Sequence, residues 1–143
     1  MANHVLIVDG RFYHPISEEL VRGASYVLTS HEITFDHITV PGAFEIPGAI
    51  RMAMETGKYQ GYVALGCVIR GETTHYDYVC QESAHGLQEL VLRHALAIGY
   101  GILTCENEEQ AWERALESKG NKGAAVAYAC MKMMALREQF GVK

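Results

Sequence analysis

The chain has 143 residues, 49% of them hydrophobic and 20% charged, which supplies one domain with a core of ordinary size. The formal net charge is -5 with no long run of one sign, which excludes the basic face of a nucleic-acid-binding protein but not phosphate ligands, which need only a few local donors. No stretch approaches the roughly 20 apolar residues of a membrane span, and the first apolar run lies too near Met1 and is too short for a secretory leader, so the expectation is a soluble, cytoplasmic protein.

Val5–Val8 (VLIV) predicts a buried strand ended by Asp9 and Gly10. Pro15 precedes a helix from Ile16 to about Ser30 with Ile16, Leu20, Val27 and Leu28 on its apolar side, and Gly23 is its weak position. Thr34–Val40 reads as the second strand, stopped at Pro41-Gly42, and a helix from about Phe44 to Thr56 follows, with Gly57 as its terminator. Tyr62–Ile69 (YVALGCVI) is apolar on both faces, as a central strand covered from both sides must be. A long helical pattern runs from about Tyr76 to Ala97, with Val79, Ser83, Leu87, Val91 and Ala95 on one stripe, and Gly99 is expected to end it. Tyr100–Thr104 is the fourth strand, and Asn107 caps a short helix from Glu108 to about Ser118. Gly120, Asn121 and Gly123 break the chain before a last helix, about Ala124 to Phe140, rich in Ala and Met.

Strands and helices alternate four times, which predicts a single α/β domain, a parallel sheet with helices on both faces. The last helix has two equal readings: a cover for the sheet, or a surface for another subunit. The four cysteines, Cys67, Cys80, Cys105 and Cys130, form no C-x-x-C pair and read as reduced thiols packed as small apolar groups.

Ligands of open parallel sheets bind beyond the carboxyl ends of the strands. Gly10–Tyr13, Pro41–Glu45, Arg70–His75 and Cys105–Asn107 reach that edge. In the third segment, Gly71-Glu72-Thr73-Thr74 precedes a helix, so its hydroxyls and the free N–H groups of the helix start can hold an anion; Thr73 or Thr74 can equally serve as a plain helix cap. His75 follows, with a side chain able to take and give protons near neutral pH, or to act only structurally. His75, Asp77 and His85 do not share one helical face, which argues against a metal site. Phe12 stands where it can stack on a flat heterocycle, whereas ordinary packing is the better reading of Phe44. Glu45 can accept hydrogen bonds from a polyol or favour a helix start. Arg114 and Lys122 are by default solvated charges.

Arg11-Phe12, Pro41–Pro47 (PGAFEIP), Gly66–Cys80 (GCVIRGETTHYDYVC) and Gly120–Gly123 (GNKG) occur in an order and spacing that resemble the lumazine synthase family over nearly the whole chain. The resemblance implies a flavodoxin-like three-layer sandwich with a four-stranded parallel sheet. It also implies a homo-oligomer, a pentamer at least, with the active site between neighbouring subunits. The implied reaction condenses 5-amino-6-ribitylamino-uracil with 3,4-dihydroxy-2-butanone 4-phosphate, without metal or organic cofactor. By the same resemblance Phe12 stacks on the pyrimidine ring, Ala43 and Glu45 hold the ribityl chain, and the backbone of Val68 and Ile69 meets the pyrimidine edge. Glu72, Thr73 and Thr74 line a phosphate pocket, and His75 transfers protons. Arg114, Lys122 and Tyr100 of the adjacent subunit bind phosphate, approach the pyrimidine and close the pocket. Tyr13 departs from the Asn of many relatives, and Tyr100 from a common Phe. The short segment before the first strand leaves the assembly open, although the compact Gly120–Gly123 loop resembles members that form 60-subunit shells. An alternative on the same fold is a flavin-binding or storage protein, whose mark would be loss of His75 or Arg114; both are present.

Overall fold

Nine regular elements follow one another in the computed structural model, which describes residues 3–142: β1 (His4–Gly10), α1 (His14–Ser30), β2 (Thr34–Val40), α2 (Ile46–Met54), β3 (Gly61–Ile69), α3 (His75–His94), β4 (Ile98–Cys105), α4 (Glu108–Ala115) and α5 (Lys122–Gln139). Single turns of 3-10 helix at Arg11–Tyr13 and Ala43–Glu45 lead into α1 and α2. The strands form one parallel sheet in the order β2-β1-β3-β4, with Val5 opposite Phe35 and Gly61, and Ala64 opposite Tyr100.

Strand residues alternate between two faces, and each face has its own core. Val5, Ile7, Val63, Leu65 and Leu103 meet Ile16, Leu20, Val27 and Leu28 of α1, Ala111 of α4, and Val126, Ala127 and Cys130 of α5. Leu6, Val8, Tyr62, Ala64 and Ile102 meet Ile46 and Ile50 of α2 and Tyr76, Val79, Leu87 and Leu90 of α3. This is a three-layer α/β sandwich. Only β1 and β3 are buried along almost their whole length, because they are the inner strands; β2, on one edge, is largely exposed. The last helix covers the sheet through Val126, Cys130 and Met134, while Tyr128 on its other side is exposed.

Several expected boundaries move. The helix predicted to reach Ala97 stops at His94, because Ala95 turns left-handed (φ 52°) and ends it. Gly99 is no helix terminator: it lies inside β4, where a Cβ would come within 2.3 Å of the Val126 carbonyl oxygen. The helix α5 can lie this close to the sheet only because β4 has no side chain at that point. Gly123, expected to break the chain, is likewise the second residue of α5, with the Leu20 carbonyl oxygen 2.1 Å from where its Cβ would stand. Lys122 therefore opens a helix instead of standing in a loop. The helix expected to reach Ser118 ends at Ala115, and Leu116 has extended backbone.

Candidate active site

The strand order reverses direction between β1 and β3: from β1 the chain next adds β2 on one side, and from β3 it adds β4 on the other. Connections leaving the carboxyl ends of two such strands diverge, and a crevice opens between them. A cleft of about 550 Å³ lies there. The loop after β1 contributes Phe12 and Tyr13, and the turn after β2 contributes Pro41, Gly42, Ala43, Phe44 and Glu45. The floor is the end of β3, with Cys67, Val68 and Ile69, and the far wall is Gly71 with His75, Tyr76 and Val79 of α3.

Two phenyl rings face this cleft. Phe12 is 73% exposed, touching Tyr13 edge-on with ring centroids 5.0 Å apart. Phe44 is 56% exposed, which corrects the expectation that it is packed in the interior. The 3-10 turn explains the difference: Ala43 and Ile46 take the inward positions, and Phe44 is left pointing out. Exposed aromatic rings beside a concavity are unusual in an isolated domain, where such rings normally gain by burial.

His75 is the first residue of α3, at the positive end of a 20-residue helix. Its backbone N–H donates to the Thr73 hydroxyl oxygen at 3.3 Å, and Thr74, which occupies the cap position, makes no side-chain capping bond. Glu72, Thr73 and Thr74 are exposed on the turn between two cleft residues, Gly71 and His75. Cys67, on the floor, stays protonated, because burial pushes its thiol up to about 12. The phenol of Tyr13 is also raised by burial.

The structure thus gathers Phe12, Ala43, Glu45, Val68, Ile69 and His75 around one cleft, with residues 72–74 at its margin. It does not bring in Tyr100, Arg114 or Lys122. Tyr100 points toward α3, where burial raises its phenol next to Cys80 and Ser83. The Arg114 guanidinium donates to the Gln110 carbonyl oxygen of its own helix at 2.9 Å, and Lys122 is exposed at the start of α5. None of the residues lining the cleft is Lys or Arg.

Two polar groups next to the site were not singled out in the sequence. Arg70 links the loops after β3 and β4: Nε donates to both Glu106 oxygens at 2.9 and 3.1 Å, Nη1 is 3.4 Å from Asp77, and the guanidinium lies 4.4 Å from the Tyr76 ring centroid. Asp9, at the end of β1, is fully buried and takes two bonds from Arg11. A charge just past an apolar run looks the same whether it points to solvent or inward, so only its partners reveal its place.

The fold and the cleft define an α/β protein of the doubly wound class with a concavity at its switch point. Comparison with known proteins gives the family. The model of the 6,7-dimethyl-8-ribityllumazine synthase family matches residues 2–138. A 6,7-dimethyl-8-ribityllumazine synthase of Bartonella henselae is 54% identical over 140 residues, covering 96% of this chain and 90% of that protein. The enzyme of the same name from Sphingopyxis alaskensis is 49% identical over 139 residues (97% and 98%), and 6,7-dimethyl-8-ribityllumazine synthase 1 of Rhizobium meliloti is 46% identical over 145 (98% and 95%). This chain belongs to the 6,7-dimethyl-8-ribityllumazine synthase family.

Proposed function

We propose that the chain is a transferase of riboflavin biosynthesis that condenses 5-amino-6-ribitylamino-uracil with 3,4-dihydroxy-2-butanone 4-phosphate, giving 6,7-dimethyl-8-ribityllumazine, phosphate and water. The observation that carries the reading is a switch-point cleft lined by Phe12, Phe44 and His75 in a chain matched almost end to end by relatives of that name. The amine attacks the ketone and water is lost to form a Schiff base. Phosphate then leaves, and ring closure releases a second water. Each step moves protons, and His75 is the cleft residue whose imidazole can both donate and accept them. Holding both substrates in register supplies much of the acceleration, since effective molarity is large for oriented reactants.

In this reading Phe12 carries the pyrimidine ring, Ala43 and Glu45 the ribityl chain, the Val68 and Ile69 backbone the pyrimidine edge, and residues 72–74 the phosphate. The threonine hydroxyls and the helix start offer hydrogen bonds to a phosphate, and a cationic side chain would add charge pairing that the cleft of one chain does not offer among its lining residues. We therefore assign Arg114, Lys122 and Tyr100 to the cleft of a neighbouring copy, in a homo-oligomer of at least five subunits that extends to a 60-subunit shell if pentamers associate. Exposed Tyr78, Leu92 and Tyr128 supply apolar surface for such contacts. A cytoplasmic location belongs to the same proposal: the four cysteines are free, as in a reducing compartment. Among the described residues no helix is long and apolar enough to cross a membrane.

The test is direct. Purified protein is given both substrates, and lumazine formation and phosphate release are followed against the spontaneous rate. Turnover well above background is expected. Background turnover in a folded oligomer that still binds riboflavin would reject synthesis in favour of flavin binding. Light scattering reads the assembly, and a monomer would reject the shared site.

A further inference from the structure

Phe12 is 73% exposed and meets Tyr13 edge-on, yet stacking requires a ring held at a fixed height and tilt. The backbone behind it is held from several directions. The Asp9 carboxylate, fully buried, accepts from Arg11 Nε and Nη2, both at 2.8 Å, which closes a two-pronged bridge around Gly10. His37 Nε2, from the neighbouring strand β2, meets the same carboxylate. Arg11 Nη1 also lies 3.7 Å from Glu18 of α1. The buried Ser17 hydroxyl, from α1, donates to the Gly10 carbonyl oxygen at 2.9 Å. On the remaining side Gly10 abuts the turn after β2: a Cβ there would stand 2.7 Å from the Gly42 carbonyl carbon and 2.8 Å from the Ala43 nitrogen.

A buried carboxylate is costly to a fold unless its oxygens are paired, and a bidentate guanidinium is the pairing that also fixes direction. A salt bridge needed only for stability could be replaced by apolar packing at little cost. This one sits immediately before the aromatic residue of the cleft, and its partners come from the loop itself and from β2.

We infer that Asp9 is a positioning residue: through Arg11 and His37 it holds the loop after β1 so that Phe12 presents its ring to the planar pyrimidine substrate. It touches neither substrate. The inference rests on the proposed stacking role of Phe12. It predicts a selective defect, because the butanone phosphate has no ring to stack.

The experiment is steady-state kinetics on Asp9→Asn, Arg11→Lys and Phe12→Ala, with both substrates varied and thermal midpoints recorded. Asp9→Asn keeps the shape but loses the charge; Arg11→Lys keeps the charge but loses the fork. In both, KM for the ribitylamino-pyrimidine is expected to rise about threefold to tenfold, the scale of one lost aromatic contact, while KM for the butanone phosphate stays within about twofold. A lower midpoint with both KM values unchanged would make the bridge merely structural and overturn the inference, as would an equal rise in both. If Asp9→Asn does not fold, Arg11→Lys carries the same criterion alone. Unchanged pyrimidine KM in Phe12→Ala would reject the stacking role itself; a raised value there with silent Asp9 and Arg11 variants would reject only the positioning role.

Discussion

His75→Ala separates proton transfer from substrate alignment. The residue is exposed at the start of α3, and its ring makes no hydrogen bond or ion pair among the described residues. Removing it should therefore cost little stability, within about 0.5 kcal/mol, since alanine suits a helix and a surface change breaks no packing. General acid–base catalysis is worth about a hundredfold to ten-thousandfold where water is excluded. Here the cleft is open and the ring is solvated, so water can replace part of its work. We expect kcat to fall about 10- to 100-fold, or about 1.4 to 2.7 kcal/mol of barrier, while both KM values remain near the parent's. The assay is lumazine formation by absorbance, with phosphate release as a second readout and the spontaneous reaction subtracted. A variant that keeps full kcat would refute proton transfer by His75. A fall to background would mean that the histidine organises the site as well.

The remaining predictions concern binding, packing and thiol chemistry. Arg114→Ala should raise KM for the butanone phosphate and leave pyrimidine affinity less affected; an unchanged phosphate KM would remove this residue from the neighbour's site. Gly99→Ala pushes a methyl against the Val126 carbonyl and should destabilise by about 1–3 kcal/mol, read as an earlier urea midpoint; an unchanged midpoint would show that α5 moves away freely. Burial pushes the thiols of Cys67 and Cys130 from 9.0 up to about 12, so between these values the unfolded chain releases their protons and the fold does not. Stability should then fall as pH rises above about 9, and less steeply in Cys130→Ala; identical slopes would reject this source. At pH 8 a thiol reagent should modify half-buried Cys80 first and the other three only on unfolding; equally fast reaction of all four would contradict the burial.

The strands were legible because a parallel sheet covered on both faces must be apolar along its inner strands, and Val5–Val8 and Tyr62–Ile69 carry that mark. The helix ends were less so. Gly99 and Gly123 looked like breaks, because a sequence does not distinguish a glycine that frees the backbone from one that lets another element come close. Here the second role holds, and it depends on residues far along the chain. Phe44 was misplaced because helical periodicity begins two residues too early when a 3-10 turn precedes the helix. The segments around the cleft could be read from their positions after strands and from the family motifs. The Asp9–Arg11–His37 arrangement could not, since it joins β1 to β2 across a register that only the folded sheet defines.

The packing of α1 against the start of α5 has a consequence for how the chain is made. These helices come from opposite ends of the sequence, and the central strand β1 pairs with partners that are both synthesised after it. The stretch of α1 around Leu20 and Gly23 that packs on α5 thus emerges early and stays uncovered until the last helix leaves the ribosome, although the sheet covers the rest of its apolar side sooner. Long-range closure of this kind slows folding and prolongs exposure of sticky surface. Premature termination before α5 should yield a chain that aggregates instead of a smaller stable domain, because Val126, Ala127, Cys130 and Met134 complete one of its two cores.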